Sequence, residues 1–216
     1  MSAAPLLHVD GLAKRYTRGL LRPEITFSLE ADFRIDGPRV VGVMGPNGSG
    51  KTTLFELITG SNAPSAGRVL VGGQDIHAVR YGQRDRVAIH YHQSYQVRSF
   101  RRTRPESWMA PAASDSPLVH LFDEPQFNTQ DGYIGFMLDF FRTLRARDRL
   151  VFLCLHPNEP VHLDILRESC DSFIFVKGGR LSFAESFADL LQKEPVRAYL
   201  GALALPATTP NGSAKK

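Results

Sequence analysis

The densest chemistry in the chain lies in Gly45-Pro46-Asn47-Gly48-Ser49-Gly50-Lys51-Thr52-Thr53, which reads as a glycine, four residues and then Gly-Lys-Thr. Glycines at this spacing let backbone N–H groups converge on phosphate oxygens. The unpaired amides and the dipole of a following helix start favour negative charge at the same point. Lys51 is placed to reach the β and γ phosphates of a nucleotide, and the Thr52 hydroxyl to ligate Mg²⁺. The flanks suit this chemistry: Arg39 to Met44 reads as a short buried strand, and Thr52 to Ile58 as a helix ending at Gly60. Strand, glycine-rich turn and helix start form the context the motif requires. A chance glycine-rich turn would not match every fixed position. The loop binds a nucleoside triphosphate, or descends from one that did.

A second group stands at Asp123-Glu124, after the apolar run Val119-His120-Leu121-Phe122. An acidic pair at the end of such a strand, in a chain with a phosphate loop, suits Mg²⁺ held through water by Asp123 and an attacking water oriented by Glu124. On its own the pair also fits a cap or turn; the loop is what favours the catalytic reading. His90 and His92 share one strand face, but no third ligand stands nearby, so a metal site there is not expected.

The elements that must position these groups alternate. Leu6 to Val9 is expected as a strand, and so is Glu24 to Ile35, with Ile25, Phe27, Leu29 and Phe33 on one face. Residues 68–71 and 72–76 are expected as a hairpin, and residues 86–91 and 118–122 as strands. A helix is expected over about 132–147, a strand over 150–155 and a helix over about 159–170 with Pro160 in its first turn. A strand at 172–176, a turn at 177–180 and a last helix over about 185–193 complete the pattern. The expected fold class is α/β, a P-loop NTPase with a mostly parallel sheet, flanking helices and an N-terminal antiparallel β region. Gly45, Asp123-Glu124 and His156 all follow strand ends, where ligands of such sheets bind. Residues 1–205 are read as one domain and 206–216 as a disordered tail.

Composition excludes several classes. With 216 residues, 43% hydrophobic and 22% charged, the chain is ordinary for a globular protein. A net charge of +4 permits an acidic partner without arguing for one. Its two cysteines, Cys154 and Cys170, have no metal-ligand spacing and fit a reducing compartment. No apolar run is long enough to span a bilayer, and the start has no export signal. A cytoplasmic location is expected, with any membrane role needing a partner that spans.

With the loop and the acidic strand in place, the chain resembles the nucleotide-binding domain of ATP-binding cassette (ABC) ATPases, over about residues 5–93 and 118–193. Leu12-Ala13-Lys14-Arg15-Tyr16 is similar to the family segment whose aromatic residue stacks on adenine, which implies that role for Tyr16; a core or rim tyrosine is the alternative. Leu57-Ile58-Thr59-Gly60, Pro64, Gly67 and Gly73-Gln74-Asp75-Ile76 match the run after the phosphate loop. Gln93, 42 positions after Lys51, stands where the family has a glutamine near Mg²⁺ and the γ-phosphate. His156, 33 positions after Asp123, matches the switch histidine that contacts the γ-phosphate. Cys170-Asp171 through Gly178-Gly179-Arg180-Leu181 resembles the closing strand and turn. The resemblance implies ATP and Mg²⁺ as ligands, a dimer of nucleotide-binding domains, and a membrane-spanning subunit that holds the chain at the inner face of the membrane.

The resemblance has a gap. The family's Leu-Ser-Gly-Gly-Gln helix start, which caps the nucleotide held by the opposite subunit, is missing, and only 30 positions separate Gln93 from Asp123. Gly72-Gly73-Gln74 lies too early to serve, and the stretch after Glu124 departs from the family's Ser-Ala-Leu-Asp loop. Two copies of this chain supply two cradles and no caps, which costs orders of magnitude in rate. Slow hydrolysis, a partner that supplies the cap, and a cap built from residues 94–117 all stay open. That segment holds Arg98, Arg101, Arg102 and Arg104, a solvated basic loop or a source of an arginine finger. Two functions therefore compete: the ATPase subunit of a membrane transporter, and a nucleotide-dependent switch acting on a protein partner. A nucleic-acid ATPase ranks last.

Overall fold

The computed structural model describes residues 4–19, 24–92, 117–125 and 133–204. Among them the strands form one mixed sheet. In chain order they are β1 (Leu7–Arg18), β2 (Glu24–Ile35), β3 (Val40–Met44), β4 (Ala66–Val71), β5 (Gln74–Asp75), β6 (Ala88–Tyr91), β7 (Val119–Asp123), β8 (Leu150–Cys154), β9 (Ser172–Lys177) and β10 (Arg180–Ala184). Their spatial order is β5-β4-β1-β2-β10-β9-β3-β8-β7-β6. From β9 through β6 every pair is parallel, whereas β1 pairs antiparallel with β2 and β4. The helices are α1 (Lys51–Ile58), α2 (Tyr133–Ala146), α3 (Pro160–Ser169), α4 (Phe187–Gln192) and α5 (Glu194–Leu200).

The parallel strands are apolar runs because both of their faces are covered. Alternation sends Val41 and Val43 of β3 toward one core, with Leu54, Phe55, Leu57 and Ile58 of α1. Val40 and Met44 point to the opposite core, with Met137, Phe140, Phe141 and Leu144 of α2. That i, i+3, i+4, i+7 spacing on α2 is the apolar stripe of a helix lying on a sheet. The same period of two decides where β7 aims its last residue. Val119 and Leu121 face α1, so Asp123 does as well.

Several expected elements need correction. β1 does not stop at Val9 but continues to Arg18 through a register shift between Val9 and Leu12. Ile25 does not share the buried face: it is 58% exposed, because β2 has left the core at that end. The strand expected from residue 86 begins at Ala88, preceded by a 3-10 turn over Tyr81–Arg86. The last helix, expected over about 185–193, is α4 (Phe187–Gln192), and a further helix that was not expected, α5 (Glu194–Leu200), follows it. Ser186 caps α4, its hydroxyl accepting from the Asp189 N–H, and an extended Lys193 then separates α4 from α5. Pro195 sits in the first turn of α5, where its missing N–H costs nothing. None of the described helices is long and apolar enough to cross a membrane.

Candidate functional site

β3 ends at Met44 and the chain turns at once into the glycine-rich loop. Gly45 adopts φ 152, and a Cβ there would stand 2.0 Å from the Val176 carbonyl oxygen of β9, so no side chain fits. The loop closes on itself through a 3.2 Å bond from Ser49 N–H to the Pro46 carbonyl, and α1 then starts. Its N-cap is Gly50, and no side chain caps the helix start. First-turn amides without a side-chain acceptor are what an anion requires. Leu54, Phe55, Leu57 and Ile58 are fully buried and fix the helix in place, each contributing about 1.5–3 kcal/mol.

Lys51 is 6% exposed. Its ammonium donates to the carbonyls of Gly45 at 2.8 Å and Pro46 at 3.0 Å, so the cation is held over the loop. The Thr52 hydroxyl donates to Asp123 Oδ2 at 3.0 Å, which joins the loop helix to the acidic strand. Asp123 is 5% exposed. Burial alone would raise its carboxyl, but His90 first, then Thr52 and Cys154, outweigh that and hold it below the usual carboxylate range. A carboxylate and a hydroxyl meeting at one buried point form a hard oxygen donor set, which fits Mg²⁺.

Glu124 follows at φ 48, a left-handed conformation rare for a side chain-bearing residue. Its N–H donates to the Cys154 carbonyl at 3.0 Å, which ties it to the end of β8. The carboxylate-bearing residue and the phosphate loop share one cavity of about 320 Å³, lined by Asn47, Gly48, Gly50, Lys51, Thr52, Thr53, Glu124 and, from β2, Phe27. Gly45, Pro46 and Asp123 join this lining through their bonds to Lys51 and Thr52, and Ser49 through its bond to Pro46.

His156 lies two residues beyond β8, at the same sheet edge, but not on the cavity wall. Its Nδ1 pairs with the Tyr199 hydroxyl of α5 at 2.9 Å. Tyr16, near the end of β1, is 37% exposed and also outside the cavity. Its ring meets Phe27 at 6.1 Å, the Lys14 ammonium stands 5.1 Å from its centroid, and Asn62 Nδ2 donates to its hydroxyl at 2.8 Å. Gln93, the arginines at 98–104, nearly all of 94–117 and the tail at 206–216 lie outside the described residues.

Four neighbours of the site were not found by reading the sequence. Phe27 arrives from β2 across the sheet. His90, on the α1 face of β6, puts Nε2 3.4 Å from Asp123 Oδ2, longer than a well-formed hydrogen bond. Tyr199 comes from a helix that was not expected. Gly179, expected only as turn, donates its N–H to the Ser49 carbonyl at 3.0 Å and accepts from Glu30 N–H at 2.9 Å, which braces the loop against β2. Only Gly179 carried a local signal, its place in a Gly-Gly pair; Phe27 and His90 depend on strand order, and Tyr199 on how α5 packs.

Residues 29–131, just under half of the chain, match the family model described as ABC transporter. A lipoprotein-releasing system ATP-binding protein, LolD of Coxiella burnetii, is 34% identical over 77 residues, which cover 36% of this chain and 32% of that protein. A cobalamin import ATP-binding protein, BtuD of Halobacterium salinarum, is 26% identical over an alignment of 220 positions covering 79% of this chain and 54% of the relative. The chain thus spans from about a third to just over half of the length of these curated relatives. Among solved structures, a nucleotide-free ATP-binding cassette from an ABC transporter superposes with a TM-score of 0.65 at 16% identity, over 90% of this chain and 98% of that one. The structure of an ATP-binding subunit of an ABC transporter gives a TM-score of 0.57 at 19% identity, over 83% and 90% respectively. The fold is shared with both.

Proposed function

We propose that this chain binds and hydrolyses MgATP as the nucleotide-binding subunit of an ABC-type membrane transporter, a reading its match to the ABC transporter family model and its fold support. The observation that carries this reading is the single cavity on which Lys51, Thr52 and Glu124 converge, with Asp123 bonded to Thr52. The uncapped start of α1 and the Lys51 ammonium hold the phosphates, Lys51 exchanging its loop carbonyls for β and γ oxygens. Thr52 and Asp123 would hold Mg²⁺, with Gln93 as a further ligand; bound there, the ion supplies charge neutralisation for the phosphate oxygens. Glu124 accepts the proton of the attacking water, whose oxygen bonds to the γ-phosphorus as the bond to the bridging oxygen breaks and ADP leaves. His156 donates to the γ-phosphate, and Tyr16 packs the base beside Phe27.

Hydrolysis is slow or partner-dependent, because no Leu-Ser-Gly-Gly-Gln segment exists anywhere in the sequence to cap the second face of the nucleotide. The partner is a membrane-spanning subunit on another chain, which places this one at the inner face of the membrane. The missing cap also favours a second reading, a nucleotide-dependent switch that acts on a protein partner without pumping. MgATP hydrolysis by the purified chain over a range of protein concentrations, beside Glu124→Gln, tests the proposal. Turnover that falls at least about 100-fold in the variant, with ATP binding kept, is expected. Equal turnover in both would remove Glu124 from the chemistry. Retention of ATP binding with no turnover at any concentration, alone or with co-purified membrane subunits, would favour the switch.

A further inference from the structure

We infer that Tyr199 is a positioning residue for His156, donating its hydroxyl proton to Nδ1 so that Nε2 carries the imidazole proton and is the donor nitrogen. The inference rests on the reading of His156 as the γ-phosphate contact and deepens it.

The geometry is specific. Tyr199 Oη and His156 Nδ1 are 2.9 Å apart, and the two rings meet edge to face with centroids 5.9 Å apart. The tyrosine ring is itself seated: it packs on Phe175 of β9 at 5.6 Å, while Val196 and Leu200 bury the face of α5 on either side of it. Among the described residues the Tyr199 hydroxyl has no hydrogen-bond partner besides Nδ1, and His156 has none besides Tyr199.

Two tautomers satisfy this distance, and they differ in which hydrogen is left to solvent or ligand. If Nδ1 carried the hydrogen, the tyrosine oxygen would accept and its own O–H would be left without an acceptor among the described residues. If the phenol donates, every polar atom of the pair is used except Nε2–H, which is free for a phosphate oxygen. The phenol also stays protonated: burial first, then the neighbouring Cys154 and the Glu124 carboxylate, push it up to about 12.

A neutral histidine fixed this way presents a donor, not an acceptor, to an anion. Without the hydroxyl the imidazole is free to rotate and to populate the Nδ1–H form, in which Nε2 is a lone pair facing negative oxygen. The expected cost is orientation at the reacting end rather than nucleotide affinity.

The test is Tyr199→Phe, which keeps the ring and its packing on Phe175. Two-bond ¹⁵N–¹H spectra of the histidine-labelled chain should show wild-type His156 as the Nε2–H tautomer with a hydrogen-bonded Nδ1. In Tyr199→Phe the Nδ1 resonance should move to the position of an unbonded imidazole nitrogen, and the Nδ1–H form should become visible. A wild-type Nδ1–H tautomer, or an Nδ1 resonance unmoved by the substitution, would overturn the inference whether or not the chain turns over ATP. In hydrolysis, Tyr199→Phe should lower kcat about tenfold with KM changed less than about twofold, and should add nothing in a His156→Ala background. Loss of turnover in His156→Ala with none in Tyr199→Phe sinks the role of Tyr199 and leaves that of His156. Full turnover in His156→Ala sinks the γ-phosphate reading itself.

Discussion

At the scale of the residue, Glu124 is the point where stability and chemistry pull apart. Its φ of 48 costs on the order of 1–2 kcal/mol for a residue with a Cβ. Glu124→Gly should therefore raise the chemical denaturation midpoint, by about 1 kcal/mol in unfolding free energy, while it abolishes turnover. A midpoint equal to or below that of the wild type would mean that the backbone there is unstrained. The residues that announced themselves in the sequence did so through local spacing: Gly45 to Thr53 as one run, and Asp123-Glu124 at the end of one strand. His90 and Tyr199 could not. His90 meets Asp123 because β6 pairs with β7, and Tyr199 meets His156 across 43 positions of chain. No spacing rule on one segment reports contacts of that kind.

At the scale of the element, the phosphate loop is held in shape from outside as much as by its own glycines. The turn between β9 and β10 reaches it through Gly179, whose N–H bonds to Ser49 and whose carbonyl accepts from Glu30. A Cβ at Gly179 would lie 1.7 Å from the Ser28 carbonyl oxygen, and its φ is 74. Gly179→Ala should cost about 2–4 kcal/mol of stability and weaken nucleotide binding together, read by urea denaturation and by titration with a fluorescent ATP analogue. Unchanged values in both assays would show that the turn does not support the loop. The parallel strands and α2 were legible because each is a single unbroken pattern, apolar throughout or striped at helical period. β1 was cut short because the register shift between Val9 and Leu12 interrupts its alternation. The helix after Lys193 was not expected, although Pro195 in its first turn marks a helix start.

At the scale of the whole molecule, two cores sandwich the sheet, and one of them contains a titratable group. His120 is fully buried, stacked on Tyr91 with its Nδ1 3.0 Å from that hydroxyl. Burial lowers it to about 4, a backbone contact with Pro117 opposing and the charge of Arg149 adding to the effect. Between pH 6.5 and 4 the unfolded chain takes up a proton that the folded one refuses, so stability falls as pH drops through that window, by about 3 kcal/mol in all. His120→Gln keeps a partner for Tyr91 and should flatten this dependence in urea denaturation at pH 7 and pH 5. The same slope as the wild type would assign the acid sensitivity elsewhere. The overall class, a mostly parallel sheet with an antiparallel edge, followed from the order of patterns along the chain. The shared sheet edge of Gly45, Glu124 and His156 was legible from their places after strand ends, whereas the cavity takes in Lys51, Thr52 and Glu124 and leaves His156 off its wall.

The measurement that bears most directly on the proposal is ATP binding by the chain and by Lys51→Ala, with and without Mg²⁺. Saturable, Mg²⁺-strengthened binding to the wild type, weakened at least about 100-fold in Lys51→Ala while the variant stays folded, is the expected result. Equal affinity in the two proteins would contradict it, and the loop from Gly45 to Thr53 would then not be a nucleotide site.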